Sequence, residues 1–126
     1  MTSLDALVVL FRFDGFGSES DQPMTPFHHP PLDGPLDLDA LATIVGAPLS
    51  DRSDDVAGVL DGLLAWQKRV GEHVVEAEAL LATLRAMDPL IGAVERDTEA
   101  VERRAFIVGQ QPDGALVGIE TMVVWT

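Results

Sequence analysis

Apolar residues recur at helical spacing in three stretches of the chain and run in strand-like fashion in three others. Over residues 3–11, Leu4, Leu7, Val8 and Phe11 fall on one face, and Ser3 stands where an N-cap belongs. This predicts a first helix, ended by Gly15 and Gly17. A second, short helix is expected over Leu38 to Val45, turning Leu38, Leu41, Ile44 and Val45 inward and stopped by Gly46 and Pro48. The clearest helical pattern runs from Glu72 to Met87. Val74, Ala77, Leu81 and Leu84 make its stripe, with Leu80 and Met87 beside it, while Glu72, Glu76 and Arg85 face out. Asp88-Pro89 ends it. Residues 55–66, with the run VAGVLDGLLAW, fit either a helix or a strand pair, because their glycines weaken the helical reading.

Leu90 to Glu95 reads as a strand, and Val101 to Gly109 and Ala115 to Trp125 as two more, joined by Q-Q-P-D-G. A Pro-Asp-Gly turn between apolar runs signals a hairpin, since proline presets one φ angle and glycine supplies a positive one. In the last strand Ala115, Val117, Ile119 and Val123 point one way, and Leu116, Met122 and Val124 the other. A strand apolar on both faces is covered on both sides. The expected fold class is therefore α/β, a mainly antiparallel sheet with helices on both faces and a C-terminal β-hairpin. Six of the eight prolines lie between Pro23 and Pro48, so that segment is expected to be irregular. No internal repeat interrupts the pattern, and residues 1–126 are read as a single domain.

Charge changes the picture. Twenty-one acidic residues against eight basic ones give a net charge of −13 in 126 residues. Such a chain repels phosphates, which excludes nucleic acid as a partner and favours a basic one; high solubility alone would also fit. With no cysteine there is neither a disulfide framework nor thiolate chemistry. The start MTSLDALVVLF lacks a basic leader, and no stretch has the length of a membrane span, so the expected setting is the cytoplasm, away from the membrane.

The acidic segment Ser18-Glu19-Ser20-Asp21-Gln22-Pro23 is the first candidate site. Adjacent His28 and His29 would point to opposite faces of a strand and cannot share one ion, and no HExxH or CxxC spacing is present, so neither a metal site nor a cofactor is expected. Glu19 and Asp21 could form a carboxylate pair for a small hydrolase, but their serine- and glycine-rich setting suggests solvent rather than the desolvation such a pair needs. Gly15 and Gly17 give G-x-G without the third glycine of a nucleotide-binding turn. The reading left is an acidic surface in which Glu19 and Asp21 meet arginine or lysine on a partner, with Ser18 or Ser20 capping a turn as the structural alternative. The second candidate is the end, V-V-W-T. A strand reaching Thr126 would hold its α-carboxylate on a rigid element beside Trp125, which is either a binding hot spot or a core residue. Trp66, between an apolar run and Gln67-Lys68-Arg69, carries the same ambiguity.

Two stretches together resemble the nuclease A inhibitor family, acidic proteins that block sugar-nonspecific nucleases. One is SESDQP, Ser18 to Pro23; the other is the hairpin IVGQQPDGALVGIETMVVWT, Ile107 to Thr126. The resemblance implies an α/β/α sandwich that plugs a nuclease's active site, without enzymatic activity or cofactor of its own. It implies that Glu19 faces a basic residue of the nuclease, that Thr126 reaches the nuclease's catalytic metal, and that Trp66 makes a further contact. The sequence departs from the family pattern at Met24 to His29, in the proline-rich stretch from Pro30 to Ser53, and at Trp125, where an acidic residue is common. On this reading the protein is a DNA mimic, presenting the charge of a polyanion with no phosphodiester to cleave. An acidic interaction module for an unrelated basic partner is the alternative, and a hydrolase using Glu19 and Asp21 a more distant one.

Overall fold

The strand that is apolar on both faces lies inside a sheet covered on both sides. The computed structural model describes residues 3–125. Along the chain come α1 (Leu4–Val8), β1 (Arg12–Phe13), β2 (Gln22–Pro23), β3 (Thr25–His29), α2 (Leu38–Val45) and β4 (Leu49–Asp51). A 3-10 turn at Ser53–Asp55 leads into α3 (Val56–Val70), followed by α4 (Val74–Arg85), β5 (Leu90–Glu95), β6 (Glu102–Gln110) and β7 (Leu116–Val124). Five strands form an antiparallel sheet in the order β3-β7-β6-β5-β4, and β1 pairs with β2 in a separate short ladder.

Strand alternation sorts the core into two layers. Ala105, Ile107, Ile119 and Val123 face Leu7 and Val8 of α1, Val56 and Leu60 of α3, and Ala77, Leu80, Leu81 and Leu84 of α4. Phe106, Val108 and Leu116 face the other way, onto Leu41 of α2 and Leu36. The architecture is thus the expected α/β/α sandwich. The hairpin register runs from Glu102↔Val124 to Gln110↔Leu116 around the turn, where Gly114 takes φ +92° and donates its N–H to the Gln111 carbonyl at 2.8 Å.

Four local outcomes differ from the sequence pattern or resolve it. The first helix stops at Val8 rather than reaching Phe11, well before Gly15. Phe11 and Phe13 are both buried with exposed Arg12 between them, a period of two that commits this stretch to extended chain. The proline-rich segment is not wholly irregular: Thr25–His29 pairs with β7 as an edge strand, and an edge tolerates Pro26, which has no N–H to donate. Residues 56–70 are helical despite Gly58 and Gly62, because Val56 and Leu60 are buried and Val59, Leu63 and Leu64 pack on the same core. An ion pair between Asp61 and Arg85 links α3 to α4. Glu76 is only half exposed rather than facing out; one of its oxygens is buried, 3.6 Å from His73 Nδ1.

Arg104, on the central strand β6, ties that strand to Glu95 of β5 and to the end of α2. Its backbone N–H and guanidinium donate to Glu95 at 2.7 and 3.3 Å, and the guanidinium also donates to the Val45 carbonyl at the end of α2. Burial pushes the Glu95 carboxyl up, but the hydrogen bonds from Arg104 and the charges of Arg104 and Arg103 outweigh it and hold the group below its ordinary value. A carboxyl depressed in the fold contributes stability that is present above its unfolded pKa and lost as pH falls through the folded one. Thermal melts should therefore show stability falling as pH drops below the ordinary glutamate range. Glu95→Gln should be less stable than wild type at neutral pH and show a shallower acid dependence; parallel curves for the two proteins would refute this role.

Candidate partner-binding surface

The SESD segment is built onto the end of β7. Residues Gly15-Phe16-Gly17-Ser18 make a turn closed by Ser18 N–H on the Gly15 carbonyl at 3.1 Å, with φ of +55° at Phe16 and +74° at Gly17. Positive φ at both central positions is the requirement of a type I′ turn. Phenylalanine adopts it at some cost. What holds it is burial of the ring against Phe13, centroids 5.3 Å apart, and capture of its carbonyl by the Trp125 indole N–H at 2.9 Å. Beyond the turn, Ser18 Oγ accepts the Val124 N–H at 3.0 Å and donates to the Ser20 carbonyl at 2.8 Å. Glu19 N–H then donates to the Val124 carbonyl at 2.9 Å. The serine therefore does cap the local backbone, and in doing so it lays Glu19 beside the last residues of the chain.

Trp125 is half-buried and packs on the α1–α3–α4 core, yet it also lines an open groove. Two guanidinium groups, Arg52 at 5.1 Å and Arg103 at 5.0 Å, lie within cation–π range of its ring. Arg103 is fixed in turn by the carbonyls of Thr98 and Glu95, and Arg52 by Asp55. Trp125→Ala should lower stability by about 2–3 kcal/mol, below the range for fully buried aromatics because this ring is half-buried. A fall of roughly 6–12 °C in Tm is the expected readout, and an unchanged Tm would show that the indole does not anchor the Phe16 turn.

Two grooves meet at Glu19. The first, of about 750 Å³, runs between the Asp14–Glu19 loop, the start of α3 and Trp125; its floor includes Gly58 and Gly62, whose missing side chains keep this face of the helix low. The second, of about 770 Å³, lies between residues 10–14, the Ser18–Asp21 segment and the C-terminal half of α3. Asp14, Glu19 and Gly62 border both. Asp21 and Trp66 line the second groove. Asp21 is exposed and ion-paired with Arg12 at 3.2 Å; Trp66 is 55% exposed, with Arg69 5.7 Å from its ring centre. Glu19, Asp21, Trp66 and Trp125 thus share one surface, whereas Thr126 lies outside the described residues.

No protein-family model matches the chain, and no curated protein matches it significantly. Sequence reasoning missed Arg52, Arg103 and Arg12, which brace Trp125 and Asp21 from within the chain. Arg103 could have been found by counting the hairpin back from Pro-Asp-Gly, which sets Arg103 opposite Val123. Arg52 carries no such local signal. His28 contacts Asp5 at 2.7 Å, and His29 the Pro30 carbonyl at 2.8 Å. Among the described residues, no group of three or more histidines and carboxylates is placed to hold a metal ion, and no helix is long and apolar enough to cross a membrane.

Proposed function

We propose that this protein is a cytoplasmic, acidic inhibitor of a basic, metal-dependent, sugar-nonspecific nuclease, with no catalytic activity of its own. The observation that carries the reading is the pair of hydrogen bonds joining Ser18 and Glu19 to Val124. They present the SESD carboxylates and the end of β7 as one rigid edge, on a protein of net charge −13. The resemblance of Ser18 to Pro23 and of Ile107 to Thr126 to nuclease inhibitors supports the same assignment. In this proposal Glu19 pairs with a basic side chain at the nuclease site. Trp125 and Trp66 supply apolar contact, and Thr126, as the resemblance implies, reaches toward the nuclease's metal, where oxygen ligands are preferred.

Long-range attraction between an acidic inhibitor and a basic enzyme accelerates encounter and is screened by salt. Stopped-flow association with the nuclease should slow steadily from low to physiological ionic strength, while the protein alone should not retard DNA or RNA in a gel. A salt-independent association rate, or tight binding to nucleic acid, would contradict the proposal.

A further inference from the structure

The second groove combines an apolar floor with an acidic rim. Leu10, Leu63, Trp66 and Val70 supply the floor, and Leu10, Trp66 and Val70 remain 41%, 55% and 43% exposed. Four carboxylates, Asp14, Glu19, Asp21 and Glu72, border it against two arginines, Arg12, ion-paired with Asp21 at 3.2 Å, and Arg69, 5.7 Å from the Trp66 ring centre. His73 stands at the far end, its ring edge-on to Phe11 with centroids 6.3 Å apart. Exposed apolar side chains gathered in one concave site mark a surface that is covered in a complex.

Charge decides what covers it. A second copy of this chain would bring another −13 against the acidic rim, and an anionic lipid or nucleic-acid surface would be repelled in the same way. We infer that this groove receives a basic segment of a partner protein, which inserts an aliphatic or aromatic side chain between Trp66 and Leu10 while flanking arginine or lysine side chains meet the rim. The inference rests on reading this face as the partner-binding surface, and it names the chemistry of the segment that docks there. Neither charge nor apolar contact suffices alone: the rim is solvated and screened, and the floor is too small and open to retain an uncharged ligand against water.

The test needs no nuclease. An acetylated and amidated peptide Arg-Arg-Leu-Leu-Arg-Arg is titrated into the full-length, ¹⁵N-labelled protein and followed by two-dimensional NMR. Saturable shifts are expected below about 1 mM peptide, centred on the Trp66 indole and the backbone of Leu10, Leu63 and Val70. Replacing both leucines of the peptide by serine should weaken binding about tenfold or more, and replacing its arginines by glutamate should abolish it. The Leu10→Ser/Val70→Ser double variant should lose about tenfold in affinity; its melting curve shows whether it is folded, and the peptide series stands independently of it. Binding that is indifferent to the leucine-to-serine change, shifts that map away from the groove, or no saturation would each overturn the inference. If the peptide binds as described and no nuclease is inhibited, the groove assignment stands and the proposed function falls; inhibition without peptide binding gives the reverse.

Discussion

Glu19→Gln should leave the fold intact and weaken the proposed complex with a nuclease by about 2–4 kcal/mol, the range for removing one partner of a buried interfacial charge pair. The side chain is exposed, and the backbone N–H of Glu19 donates to the Val124 carbonyl, a contact that the substitution retains. The loss therefore reports on the carboxylate and not on the turn. Asp21→Asn should cost less. Asp21 is already engaged by Arg12, so its charge is partly neutralised within the chain. Calorimetric titration of the two variants in parallel decides the matter. Equal and negligible effects would reduce Ser18 to Asp21 to a capped turn.

Gly118→Ala should be the most damaging single-atom-group addition in the fold, costing about 3 kcal/mol or more and roughly 10 °C or more in Tm. Gly118 lies within β7, opposite Val108 on one side and Phe27 on the other. A Cβ there would run into the Ile107 carbonyl oxygen and come within 2.8 Å of the Val108 Cα. Both are backbone in the neighbouring strand, so no rotamer change relieves them; the strands have to shift. Gly109→Ala is the contrasting case, since its Cβ would meet the flexible side chain of Met87, and Gly34→Ala meets nothing within 4 Å. Because β7 carries the Ser18 and Glu19 contacts at its far end, Gly118→Ala should also impair partner binding. Chemical denaturation of the three variants should give a large loss, a smaller one and almost none; a Gly118→Ala protein as stable as wild type would show that the sheet accommodates the methyl group.

The layered fold was legible where one local cause sufficed. Leu38–Val45 and Leu90–Glu95 have the expected bounds because Gly46 stops the first and a short apolar run after Asp88-Pro89 defines the second. The two-sided apolarity of the last strand similarly implied helices on both faces. Where two local signals competed, the sequence left the outcome open. Gly58 and Gly62 argue against a helix, and only contacts with β-strands remote in sequence show that Val56 and Leu60 repay their cost. The edge strand at Thr25–His29 was hidden by its proline, which is harmless only when its place in the sheet is known. The candidate site was legible as residue types but not as a place. Glu19 and Trp125 stood out as separate anomalies, and their juxtaposition depends on a hydrogen bond from Val124 to Ser18 across most of the chain. The contacts of Arg52 with Trp125 and of Arg12 with Asp21 arise from packing and have no sequence signature.

The most direct test of the nuclease-inhibitor assignment is a titration of a basic, magnesium-dependent, sugar-nonspecific nuclease with the purified protein, in saturating magnesium so that chelation by the acidic chain plays no part. Hydrolysis of both DNA and RNA should fall to zero at about one equivalent, with Glu19→Gln requiring a large excess to do the same. Undiminished hydrolysis of both substrates at a large molar excess of the wild-type protein would contradict the account.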